Sequence, residues 1–395
     1  MLKKLIVNGR ILLPQRIIHG GILVEGDRIA AVYPGIPPDI EGAEIIDAGG
    51  KYVSPGFIEL HAHGAGGSDF MDGTPEAFLS ACRTHLVHGT TTIYPTTLSA
   101  GFEEMYQVID SLRKARKLLG CGPYLPGLHL EGPYFSMEQR GAQDPRYIKN
   151  PDPQEYREIV AYAQGDIKRW SVAPELDGAL EMGDYLDAHG ILPSIGHSNG
   201  EYAQVKEAMA HHYTHVTHLY SGMSTIVRRG GFRFLGVIES SYALEDLTVE
   251  VIGDGCHIPP ELLRMVYRLK GPDKTCLITD SLRCTGQDVT ETITGSRENG
   301  QRVIIEDGVA KLPDRTAFAG SIATGDRLVR VANQLAGIPL EDSVRMLTLT
   351  PAQIMGIGNE RGSLEAGKIA DILIFDEEIH ISRVFCGGKE VDLAG

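Results

Sequence analysis

Eight short apolar runs, rich in β-branched residues, recur through the middle of the chain with helical patterns between most of them. The runs cover residues 52–60, 91–95, 124–130, 168–172, 191–195, 214–217, 247–252 and 275–278. Amphipathic stretches at 75–87, 102–119, 153–163, 176–188, 200–210 and 260–269 lie between them, and 324–335 follows the last. Strand–helix alternation through eight strands predicts an α/β fold, a (β/α)8 TIM-type barrel. The rival architecture, a doubly wound open sheet, carries Gly-x-Gly-x-x-Gly after an early strand, and none occurs here.

The two ends of the chain have a different texture. Residues 1–52 hold short β-branched runs punctuated by Asn8-Gly9 and Glu25-Gly26-Asp27, which are turn signals. Residues 357–395 repeat that texture around Ile372-Leu373-Ile374-Phe375 and Arg383-Val384-Phe385. Chain ends commonly lie close together. The expectation is one small β-sandwich domain built from 1–52 and 357–395, flanking a barrel at 53–356.

What ends the barrel runs points to chemistry. In order they deliver His61 and His63, Thr96-Thr97, Glu131, Glu175, His197, His218, Asp254 with His257, and Asp280. Residues i and i+2 of a strand share a face, so His61 and His63 aim two imidazoles at one point. Neutral imidazole is a common ligand for zinc-like metals. A lone His-x-His is weak, and any one of the other residues is accounted for by a loop tie. In a barrel, however, every strand's C-terminal end opens on one rim, where active sites sit. Five histidines and four carboxylates gathered on that rim predict a metal site.

Composition narrows the partners. The chain of 395 residues has a formal net charge of −15 and a pI of about 5.4. Neither a nucleic acid nor an anionic membrane finds its basic face there. Six scattered cysteines form no Cys-x-x-Cys pair, so neither a disulfide framework nor a thiolate metal site is expected. The N-terminus lacks the apolar region of a signal peptide, and no run is long enough to span a membrane. The expectation is a reduced, cytoplasmic protein.

The motifs as a set resemble the amidohydrolase superfamily and, within it, the N-acetylglucosamine-6-phosphate deacetylase family. They are the stretch from Pro55-Gly56-Phe57-Ile58-Glu59-Leu60 through His61-Ala62-His63-Gly64, His129-Leu130-Glu131-Gly132-Pro133, Gly196-His197-Ser198, Thr217-His218-Leu219-Tyr220, Asp254-Gly255-Cys256-His257 and Thr279-Asp280. Ala319-Gly320-Ser321 and the stretch from Gly362 to Asp371 also match, so the resemblance covers nearly the whole chain. Hydantoinase-like relatives place a carbamylated lysine between two metals, whereas Glu131 stands at that strand end here.

The resemblance implies a metal-dependent hydrolase that removes acetate from N-acetylglucosamine-6-phosphate. It makes Glu131, His197 and His218 ligands of one divalent ion. His61 and His63 match the extra ligands of relatives that bind a second, a pair some relatives have lost. Zinc is the first expectation, with iron, manganese or cobalt as alternatives, one or two ions per subunit. Asp280 matches the catalytic aspartate, base toward water and then acid toward the departing amine. Ala142, Gln143, Ser221, Gly222, His257, Phe318, Ala319 and Gly320 match substrate-contacting positions. Three depart from the usual pattern: Gln143 replaces a frequent histidine, and Ser221-Gly222 replaces Asn-Ala. Arg229 aligns with an arginine that reaches the substrate phosphate from the other subunit of a homodimer. The alternatives are a deacetylase for another N-acetyl hexosamine, such as N-acetylgalactosamine-6-phosphate, or for an N-acyl-amino acid, and a non-catalytic scaffold that kept the barrel.

Overall fold

The computed structural model describes residues 2–393. Eight parallel strands form the centre: Phe57–Ala62, Thr90–Pro95, Leu128–Glu131, Ile167–Val172, Leu192–Ile195, His215–Val216, Thr248–Ile252 and Thr275–Ile278. The first pairs with the second, and the third to eighth pair in sequence, all in parallel. Single parallel bridges, Thr96 to His129 and Ala62 to Ser281, join the two sets and close the ring. It is the TIM-type barrel that the eight runs predict.

Helices cover the outside and start where their sequences say they should. Thr74 Oγ1 accepts from the Ala77 N–H at the head of Pro75–Val87, and Asp152 does the same for Pro153–Ala163, each with proline in the first turn. The first helix packs Phe78, Ala81 and Leu86 inward against the barrel. Leu128 and Leu130 on the third strand are fully buried on the helix side, while His129 and Glu131 alternate to the other face. The barrel interior is therefore polar, where such interiors are usually filled with branched apolar side chains.

Residues from both chain ends share one sheet. Lys3–Leu13, Arg16–Glu25, Arg28–Pro34, Ala43–Asp47 and Tyr52–Pro55 join Ile372–Phe375, Ile381–Cys386 and Lys389–Glu390. The seam is Tyr52–Pro55 antiparallel to Ile372–Phe375. Ile6, Ile11, Ile22, Val53, Ile372 and Phe385 make a core of their own there.

Three features lie outside the sequence expectations. A helix, Val237–Ala243, fills the gap after the sixth strand. A hairpin, Val227–Arg229 with Phe232–Phe234, stands exposed before it. A four-stranded antiparallel sheet, Glu291–Thr294, Gln301–Glu306, Val309–Lys311 and Phe318–Gly320, is inserted after the eighth strand. The stretch 324–335, read as one helix, is α over Gly325–Arg330 and widens to π turns over Val331–Leu335.

Candidate metal centre

Glu131, at the end of the third strand, is the hub. Its Oε1 lies 2.9 Å from His218 Nε2, 3.2 Å from His197 Nε2 and 3.5 Å from His61 Nε2. Its Oε2 lies 3.4 Å from His63 Nε2. Asp280 Oδ1 sits 3.0 Å from His63 Nε2 and 3.5 Å from His61 Nε2. All six side chains are buried. Two ligand groups share His61: one with His63 and Asp280, the other with Glu131 and His218. The six predicted residues thus come together at one place.

Local backbone puts them there. His197, His218 and Asp280 have φ of 46°, 26° and 49°, in the left-handed region that non-glycine residues rarely adopt. Strain of this kind survives only where the surroundings enforce it, and it clusters at functional sites. Gly222 also has a positive φ, +56°, and a Cβ there would meet His197 Nδ1 at 2.7 Å and the Gln139 carbonyl oxygen at 2.8 Å. That carbonyl accepts from His197 Nδ1 at 2.8 Å, which leaves Nε2 facing Glu131.

The electrostatics follow from packing anions and imidazoles together out of water. Burial would raise the Glu131 carboxyl, but His61, His197 and His218 outweigh it and hold it well below the ordinary value. Burial would depress His61, yet Glu131 and Glu250 hold it well above. His63 is raised by Asp280 and Glu131 against its burial, and Asp280 is correspondingly lowered. His218 is lowered, with burial the largest cause.

The donor set suits a divalent ion. Imidazole nitrogens and carboxylate oxygens are ligands for zinc and its neighbours. The His61 Nε2 atom is buried without a hydrogen-bond partner, among carboxylate oxygens. A buried polar atom left unpaired is costly, and a cation bound there would satisfy it.

A cavity of about 260 Å³ opens over the centre. Ala142, Gln143, Ser221, Gly222, His257, Phe318, Ala319 and Gly320 all line it, together with His63, Glu131, His197, His218 and Asp280. Its roof is the inserted sheet, tied down by Gln301 Nε2 donating to the Ala142 carbonyl at 3.0 Å. Gln143 is turned toward the centre: its Nε2 donates to Glu131 Oε2 at 2.7 Å, and its Oε1 accepts from the Ser99 N–H at 2.8 Å.

Other strand-end residues do not join the cluster. Asp254 accepts from His257 Nδ1 at 2.8 Å and from the His257 N–H at 2.9 Å, so it aims that imidazole rather than a metal. Glu175 accepts from Ser198 Oγ at 2.6 Å and from the Asn199 N–H at 2.5 Å. Thr97 Oγ1 accepts from the Glu131 N–H at 3.3 Å. Arg229 is outside the cavity lining; it pairs with Glu201 on the exposed hairpin and stacks on Phe234. Sequence reasoning missed Glu250, Arg169 and Glu59, all buried inside the barrel. Glu59 accepts from the His61 and Thr279 N–H groups at 2.9 and 3.0 Å, which ties the first strand to the eighth. Each belongs to a polar pair two residues apart in an apolar run: Glu59 with His61, Arg169 with Ser171, Thr248 with Glu250.

Comparison with known proteins finds likeness along nearly the whole chain. The amidohydrolase family model matches residues 52–391. The chain is 30% identical over 383 residues to the N-acetylglucosamine-6-phosphate deacetylase of Vibrio furnissii, covering 95% of this chain and 94% of that one. Identity to the Lysinibacillus sphaericus deacetylase of the same name is 32%, covering 88% of each. A substituted form of the N-acetyl-D-glucosamine-6-phosphate deacetylase of Mycobacterium smegmatis, in complex with N-acetyl-D-glucosamine-6-phosphate, superposes with a TM-score of 0.90 at 28% identity over 99% of each chain. The Pasteurella multocida enzyme superposes with a TM-score of 0.91 at 28% identity, over 99% of this chain and 100% of that one.

Proposed function

The chain belongs to the amidohydrolase family, within it to the N-acetylglucosamine-6-phosphate deacetylases, and from this we propose that it hydrolyses the acetamide of N-acetylglucosamine-6-phosphate to glucosamine-6-phosphate and acetate. It is a hydrolase of a linear amide, in amino-sugar breakdown. The observation that carries the reading is the convergence of four imidazoles and two carboxylates at the base of the barrel cavity, five of the six lining it. The scaffold alternative requires lost ligands, and every expected ligand is present.

Glu131, His197 and His218 would hold one divalent ion, and His61 and His63 a second; zinc suits these donors best, and iron, manganese or cobalt take the same set. A bound ion of this kind makes hydroxide available near neutral pH and withdraws charge from a carbonyl oxygen. Asp280, ionised and on the cavity wall, accepts the proton of the attacking water and returns it to the amine nitrogen as the C–N bond breaks. His257, held by Asp254 and set edge-on to Phe318 at 5.0 Å, faces the sugar. Gln143 remains neutral and steadies Glu131, so the substrate carbonyl receives no imidazolium from that position.

No arginine or lysine is among the residues lining the cavity, yet a phosphate dianion needs a cation. The exposed hairpin carrying Arg228, Arg229 and Arg233 beside Phe232, which is 75% exposed, supports a homodimer in which Arg229 enters the neighbour's site. Six free cysteines support a reducing, cytoplasmic setting. The sheet shared by both chain ends supports a division into a β domain of 1–52 and 357–395 and a barrel of 53–356. The test is metal analysis of the purified protein with acetate release from phosphorylated and free N-acetyl hexosamines. Full activity in metal-free protein, or preference for a free sugar, would overturn the reading.

A further inference from the structure

Beneath the ligand cluster lies a second polar layer. Arg169 on the fourth strand and Glu250 on the seventh are fully buried and paired, Nη1 to Oε2, at 2.5 Å. A buried ion pair is weak support for stability, since desolvation offsets most of the attraction. Its place at the barrel centre therefore calls for another use. The second Glu250 oxygen, Oε1, faces His61 Nδ1 at 2.8 Å and accepts from the His218 N–H at 3.1 Å. The remaining Arg169 donors are anchored too, Nε to Ser194 Oγ at 3.0 Å and Nη2 to Thr217 Oγ1 at 2.8 Å. The guanidinium cannot turn away, and the carboxylate it holds cannot either.

A carboxylate only accepts, so the nitrogen of His61 that faces it must carry a proton. In the neutral ring that a metal ion binds, the other nitrogen, Nε2, then presents its lone pair to the space between Glu131 and Asp280. No other ligand ring in the cluster has this arrangement. His197 is fixed by a backbone carbonyl, and His63 Nδ1 and His218 Nδ1 have no hydrogen-bond partner. We infer that Arg169 and Glu250 act as a positioning pair that sets the tautomer of His61, and thereby decide whether the His61–His63 half of the centre holds its own ion. The inference rests on the metal reading above. Outer partners that orient a ligating histidine commonly change metal affinity by about 10–100-fold when removed.

Glu250→Gln keeps the volume and tests the tautomer. Arg169 offers only donors, so it draws the amide oxygen and leaves the amide NH2 facing His61 Nδ1. The imidazole must then accept there and carry its proton on Nε2. Zinc-loaded wild-type protein is expected to hold about two ions per chain and the variant about one, kept by Glu131, His197 and His218. In nitrogen-15 spectra of the zinc-loaded protein, a slowly exchanging His61 Nδ1–H should be present in the wild type and lost in the variant. In a His61→Ala background, Glu250→Gln should change the zinc content no further. Two ions bound with undiminished affinity in Glu250→Gln overturn the inference alone, even if the melting temperature falls. A wild type that holds a single zinc also overturns it while leaving the metal reading intact. A wild type that holds none overturns both. If the variant does not fold, the wild-type spectrum decides: a His61 proton on Nε2 sinks the proposal.

Discussion

At the scale of single residues, the proposed chemistry separates holding charge from moving a proton. Glu131 touches four imidazoles, so its loss removes the hub, whereas Asp280 touches two and stands on the cavity wall. Asp280→Asn should therefore fold and lose at least ~10²-fold in kcat, the scale of a missing acid–base group; near-normal turnover would assign the proton transfer elsewhere. Two histidines outside the centre contribute to acid stability. His85 and His215 are buried and pushed down to about 4, with burial the first cause in each. Their folded pKa lies below the unfolded value, so the unfolded chain binds protons first, and stability falls as pH drops from about 6.5 toward about 4. Each unit of separation is worth about 1.4 kcal/mol. His85 bonds only Ser281 Oγ and the Gly64 carbonyl, at 3.0 and 3.4 Å. His85→Gln should flatten the decline of melting temperature between pH 7 and pH 4.5; an unchanged slope would show that His85 does not contribute.

At the scale of elements, the strands deliver the ligands and the turns after them aim the rings. At Gly222 aiming leaves little room, because an added methyl meets His197 Nδ1 in a backbone conformation that already resists a side chain. Gly222→Ala should lower bound metal and acetate release together with a modest loss of stability; a variant with full metal content would show that the loop yields. All eight barrel strands and the six side chains that cluster at their ends were legible in the sequence, because apolar runs ending in His, Asp or Glu carry that information locally. Glu250 and Arg169 were not, since their meaning depends on which strands face each other across the interior. The inserted sheet was also missed: its runs, such as Arg302-Val303-Ile304-Ile305, are short and lie among turn residues, and they follow a strand set already complete at eight. Asp254 and Glu175 also end strands on the rim, but Asp254 holds the His257 imidazole and Glu175 ties down Ser198 and Asn199, a distinction that spacing cannot make.

At the scale of the whole molecule, the cavity is acidic and histidine-rich, with no arginine or lysine among the described residues that line it, and Arg229 stands on an exposed hairpin outside that lining, paired with Glu201. Arg229→Ala should raise KM for a 6-phosphorylated substrate far more than it changes kcat, because the phosphate is remote from the amide that breaks. Equal loss on phosphorylated and free sugars would make Arg229 structural. In the proposed homodimer, mixing Arg229→Ala with Asp280→Asn should restore some activity, since one hybrid site then has both groups; no recovery would argue against Arg229 acting across subunits. If Arg229 completes a neighbour's site, as proposed, that site is also subject to mass action. Serial dilution should therefore depress specific activity toward the phosphorylated sugar at protein concentrations where activity toward the free sugar, whatever its level, stays flat. The exposed hairpin would thus make the amount of protein present a determinant of which substrate it prefers.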